Sequence, residues 1–253
     1  MNATRTSACS PEEIAGRSLY DGRCQRPTRA WDGDAMLEKA QLRPDLLLLL
    51  SLLLVIVMYP LLDHGGIRKL IMAALIFVPL IPASVWLSKI KGWLWPSLAL
   101  MAGFLVFSVA SIIVPHPTLI AIKWALMAAF FGLTVVGLFS YLKNARSVTD
   151  AHLYTAVSIY LLLGMLWFAL YSAIEVFYPG AIRYATAGTD RQSELLYFSL
   201  ITLSTIGYGD VVPIHGEVRM LAALEGVAGV LYVAITVALL VSAYKQQNDA
   251  RTL

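Results

Sequence analysis

The chain has 253 residues, of which 58% are apolar and only 14% charged, with a formal net charge of +3. Soluble domains carry about a quarter charged residues, so long apolar runs here belong in lipid and a soluble globular fold is excluded. The small charge points to no nucleic-acid partner.

Residues 1–44 are polar, broken by Arg, Pro, Gly and Ser, and without a sustained period. They are expected to form a mostly disordered cytoplasmic tail with room for one short helix at 34–42. Met36 stands within it as an alternative start. Cys9 and Cys24 both lie in this tail and are read as free thiols, since two cysteines in a flexible segment specify neither a disulfide nor a metal site.

Six apolar runs follow, at 46–62, 70–87, 93–114, 119–142, 154–177 and 218–244. At about 1.5 Å per helical residue they are long enough to cross a bilayer. Asp63-His64-Gly65-Gly66, Lys89-Ile90-Lys91-Gly92, Pro115-His116-Pro117 and the polar stretch 144–150 separate them. With both termini cytoplasmic, the outer segments hold only Arg68, Lys69, Arg183, Arg191 and Arg219, and the inner ones hold thirteen Lys and Arg. Positive charge favours the inner side, so this orientation is expected. Trp93, Trp95 and Trp124 sit near span ends and read as interfacial anchors. Lys123, one turn inside the fourth span, is expected to snorkel outward.

Between the fifth and sixth spans, residues 193–205 read as an apolar helix too short to cross, followed by Thr205-Ile206-Gly207-Tyr208-Gly209-Asp210 and then Pro213. A short helix running into a glycine-containing strand is what a re-entrant loop needs, because non-helical backbone at membrane depth must be buried or line a cavity. To strip water from potassium, a pore must present rings of oxygens along one axis. Consecutive backbone carbonyls of Thr205, Ile206, Gly207 and Tyr208, with the Thr205 hydroxyl at the inner end, could supply them. Carbonyls that point the same way demand torsions that glycine adopts without a Cβ penalty, at Gly207 and Gly209. Ile206 and Tyr208 are expected to point away and pack on the short helix, whose C-terminal end would favour a cation.

The stretch from Thr202 through Pro213 resembles the signature of potassium channels, and the resemblance extends over residues 154–245. Ile206 stands where valine is commoner and Ser204 where threonine is usual. The resemblance implies an all-α polytopic fold of six spans with a re-entrant pore helix and filter between the fifth and sixth. It also implies a homotetramer in a prokaryotic plasma membrane, conducting potassium passively and needing no cofactor beyond the permeant ion. The chain would divide into the tail 1–44, a four-helix bundle at 45–150, a pore domain at 151–245 and a short cytoplasmic tail at 246–253. Ser204, Pro213 and Glu225 would support the filter, Glu225 through a partner in the short helix; the alternative for Glu225 is a water-facing acid.

Gly226 and Gly229 fall in the first half of the last span. The resemblance makes Gly229 the hinge of a pore-lining helix, although a glycine there would serve close helix packing equally well. Val230, Val233, Val237 and Val241 recur at helical spacing and would line the cavity, or else contact lipid.

A voltage sensor needs several charges in the fourth span, each contributing roughly 2.3 kcal/mol per 100 mV; only Lys123 is there. The histidines His64, His116, His152 and His215 lie apart, and no catalytic arrangement is legible. No enzyme is expected. The rival reading is a non-conducting regulatory subunit of another potassium channel.

Overall fold

Inside lipid a helix satisfies its backbone within one segment, and the apolar runs here do so. The computed structural model describes residues 44–61, 78, 79, 81, 83, 93–144, 149–184 and 190–249. Its helices are α1 (Pro44–Leu61), α2 (Leu94–Ile113), α3 (Pro117–Lys143) and α4 (Asp150–Phe177), then α5 (Arg191–Leu203) and α6 (Gly216–Asp249). Two short strands, β1 (Ile182–Tyr184) and β2 (Val211–Pro213), flank α5. Among the described residues, α2, α3, α4 and α6 are long and apolar enough to cross a membrane, whereas the apolar part of α1, Pro44–Tyr59, is shorter. The second expected span, most of 70–87, and the tail 1–43 lie outside the described residues.

Local signals set the helix ends. Pro117 occupies the first turn of α3, where its missing N–H costs nothing, and the His116 ring accepts from the Thr118 amide. His152 returns to Thr149 at the start of α4, its Nδ1 lying 2.7 Å from Thr149 Oγ1. Asp190 caps α5 through the Ser193 amide. α6 runs on to Asp249, into the segment expected to be a tail, because no breaker stands between Tyr244 and Asn248.

α4 is the central helix: half of its apolar stretch is buried, against 11% for α2. It packs on α1, α3, α5 and α6. Phe168 marks the crossing, with Tyr59 of α1 and Trp124 of α3 both edge-on to its ring at centroid distances of 6.0 and 5.3 Å. Trp124 is therefore a core residue, only 5% exposed, and not the interfacial anchor expected; Trp95, 77% exposed, remains on the surface. Lys123 holds its ammonium 5.1 Å from the Trp124 ring centroid.

β1 and β2 pair antiparallel, with Ile182 opposite Pro213 and Tyr184 opposite Val211. This clip joins the chain leaving α4 to the chain entering α6. α5 is thereby held between the two long helices, packed against both.

Candidate functional site

The segment 205–210 emerges from the C-terminal end of α5. Ser204 closes that helix by donating from Oγ to the Leu200 carbonyl at 2.7 Å. The Ile201 carbonyl then accepts from the amides of Ile206 (2.9 Å) and Gly207 (3.2 Å), and the Thr202 carbonyl from Thr205 (3.0 Å). Carbonyls that a helix end normally leaves bare are thus occupied by the segment itself.

Every second residue here is left-handed: φ is +59° at Thr205, +51° at Gly207 and +83° at Gly209. An alternating backbone turns successive carbonyls toward one side instead of opposite sides. At Gly207 and Gly209 a Cβ would meet nothing within 4 Å in the chain, so the torsion, not space, calls for glycine. Thr205 holds the same region with a branched side chain, a strained position of the kind that accompanies function.

Ile206 and Tyr208 depart from expectation. Neither is packed away on α5; Tyr208 is 71% exposed and Ile206 more than half so.

Two polar clusters, around Asp210 and around Glu225, tie the segment and its supporting helix in place. Tyr197 of α5 donates to Asp210 Oδ2 at 2.7 Å, and the Val211 amide donates to Asp210 Oδ1. This hydrogen bond holds the Asp210 carboxyl below its ordinary range and pushes the Tyr197 phenol up to about 12. Behind α5, Glu225 of α6 is 0% exposed. Its Oε2 accepts from Tyr171 of α4 at 2.7 Å, and its Oε1 lies 2.7 Å from Ser199 Oγ of α5. Ser199 Oγ also lies 2.8 Å from the Gly164 carbonyl. Ser199 has a single hydrogen for two acceptors, so all three contacts are filled when the carboxyl carries a hydrogen and gives it to Ser199. The partner expected in the short helix is Ser199. Tyr171 and Tyr197 were not foreseen; no local pattern in the sequence marks either.

Pro213 lies in β2 opposite Ile182. Gly229 faces the end of α5 so closely that a Cβ would run into the Leu203 carbonyl oxygen, while a Cβ on Gly226 would sit 3.6 Å from the Thr202 carbonyl. Thr202, Thr205, Gly207, Gly226, Val227 and Val230 help to line an open cavity of about 510 Å³ between α5 and α6. Val233, Val237 and Val241 continue the exposed stripe along α6 beyond it.

Residues 147–246 match the family model described as ion channel. Over this segment the chain is similar to ion channels. Over 53 residues the chain is 38% identical to a protein of Rhodopseudomonas palustris whose name describes it as a candidate potassium channel protein. That match takes in 21% of this chain and 13% of the relative, so the chain spans only a small part of the curated relative's length. No solved structure matches the chain. The likeness is to channels, not to enzymes. The matched segment takes in α4, α5, α6 as far as residue 246 and the 205–210 turn, and every contact of the Glu225 network lies inside it.

Proposed function

We propose that the chain is one subunit of a potassium-selective channel in which four copies bring their 205–210 segments around a common axis. The observation that carries this reading is the alternating left-handed backbone at Thr205, Gly207 and Gly209, opening from the end of a short helix. Carbonyls of Thr205, Ile206, Gly207 and Tyr208 would replace the hydration shell of potassium in successive rings. A single chain cannot close such a ring, and its exposed Tyr208, Ile206 and α6 stripe offer the apolar surface that neighbouring copies would cover.

Six spans, both termini cytoplasmic, and a plasma-membrane setting complete the proposal, with 45–150 as the flanking bundle and 151–245 as the pore domain. Val230, Val233, Val237 and Val241 would face the inner cavity. The seat of Gly229 against Leu203 favours close packing as its role, which leaves Gly226 as the freer position for bending.

Purified protein in liposomes, assayed for potassium and sodium flux beside Gly207→Ala and Gly209→Ala, tests this. Potassium flux well above sodium flux and lost in both variants is expected. Folded tetramers that pass neither ion would sink the conducting reading in favour of a regulatory subunit.

A further inference from the structure

Apart from the filter region, one cavity carries an unexplained charged group. It measures about 280 Å³ and lies where the start of α3, the end of α4 and the start of α5 meet. Pro117, Ile120 and Val176 give it apolar walls; Ser172, Glu175 and Gln192 give it polar ones, and Arg191 stands at its edge. Glu175 is 8% exposed. Its Oε1 accepts from the Gly180 amide at 3.0 Å, but its Oε2 is buried with no hydrogen-bond partner among the described residues. Nearby, Tyr184 Oη is also buried without a hydrogen-bond partner among the described residues, and burial followed by the Glu175 charge pushes its phenol up.

A carboxylate oxygen withdrawn from water and left unpaired is costly, so a donor or cation should occupy the space before it. Arg191 lines the same cavity but makes no ion pair with Glu175 among the described residues. A hard metal ion would need about six oxygen ligands. Here the side-chain oxygens lining the cavity are only those of Ser172, Glu175 and Gln192 among the described residues, and a guanidinium would stand beside the metal. The pair of separated opposite charges suits a zwitterion instead: an ammonium on Glu175 and a phosphate on Arg191. The apolar walls sit at the ends of two helices long and apolar enough to cross a membrane, and the end of a crossing helix is where headgroups lie.

We infer that this cavity binds a phosphoethanolamine group, carried by a phospholipid whose acyl chains run along Ile120 and Val176. The inference rests on the membrane placement of α3 and α4 and not on conduction, so it stands or falls separately from the channel reading.

Delipidated full-length protein is titrated with phosphatidylethanolamine or with phosphatidylcholine of the same acyl chains, and bound lipid is counted by native mass spectrometry. Phosphatidylcholine keeps the phosphate but its trimethylated nitrogen donates no hydrogen bond. The ethanolamine lipid should bind roughly tenfold or more tightly, the worth of one charge-assisted hydrogen bond. Glu175→Gln should erase that preference, and Arg191→Gln should weaken both lipids alike. Equal lipid binding, with free phosphoethanolamine raising the melting temperature of wild type but not of Glu175→Gln, would keep the site and make its source soluble. Equal binding of both lipids with no response to phosphoethanolamine overturns the inference. The wild-type comparison decides even if Glu175→Gln fails to fold.

Discussion

Gly229 of α6 lies directly against the Leu203 carbonyl at the end of α5, leaving no room for a side chain. The contact seats the long helix on the short one immediately before the left-handed turn at Thr205. Gly229→Ala must push the two helices apart, an overpacking cost of about 1–3 kcal/mol. Gly226→Ala meets only an ordinary contact, and the better helix propensity of alanine should make it neutral or slightly stabilising, by up to about 1 kcal/mol. Thermal melts of the two variants in detergent separate these outcomes. Equal melting temperatures would remove the packing role from Gly229.

The Glu225 network makes a second contrast. Glutamine can give an N–H to Ser199 and accept from Tyr171, so Glu225→Gln should leave stability close to wild type. Glu225→Ala strands the buried Tyr171 hydroxyl and removes the Ser199 contact, leaving Ser199 only the Gly164 carbonyl, at a cost of about 3 kcal/mol or on the order of 6 to 12 °C in melting temperature for a chain of this size. If glutamine proves as damaging as alanine, a charged carboxylate, and not a hydrogen-bonded one, is what α5 requires.

Tyr197 and Asp210 set a pH window. A carboxyl whose folded pKa is depressed contributes its stabilisation above the unfolded value and loses it as pH falls through the folded value. The ordinary aspartate value is 3.8, so the tie should release only in acid below it. At the other end the phenol deprotonates at about 12. Ion selectivity measured between about pH 5 and about pH 9 should therefore be flat as far as this pair is concerned. Tyr197→Phe should lower the potassium-to-sodium flux ratio throughout that window, and an unchanged ratio would show that the outer end of the segment is held by something else.

The two tryptophans differ by burial alone. Trp124→Ala empties a site against Phe168 and should cost about 3–5 kcal/mol. Trp95→Ala removes a ring that faces away from the protein core and should change the melting temperature little. The comparison in one detergent checks the core assignment; equal losses would contradict it.

Much of this was legible in the chain itself. Long apolar runs determine membrane-crossing helices because lipid offers the backbone no partners, and α2, α3, α4 and α6 appear close to where hydropathy puts them. Gly207 and Gly209 could be read as special because torsional preference is a property of single residues, and both are left-handed; the same torsion at Thr205 was not legible, since a branched side chain disfavours it. Tertiary structure alone decided which groups meet across distance. Glu225 finds Ser199 and Tyr171, 26 and 54 residues away, and hydropathy along one helix says nothing of where a hydroxyl on another will arrive. It decided that Trp124 turns inward, since a tryptophan near a span end satisfies an interface or a core equally well until its neighbours are placed. It also decided the seat of Gly229: a missing side chain can permit bending or contact, and the Leu203 carbonyl occupies the space.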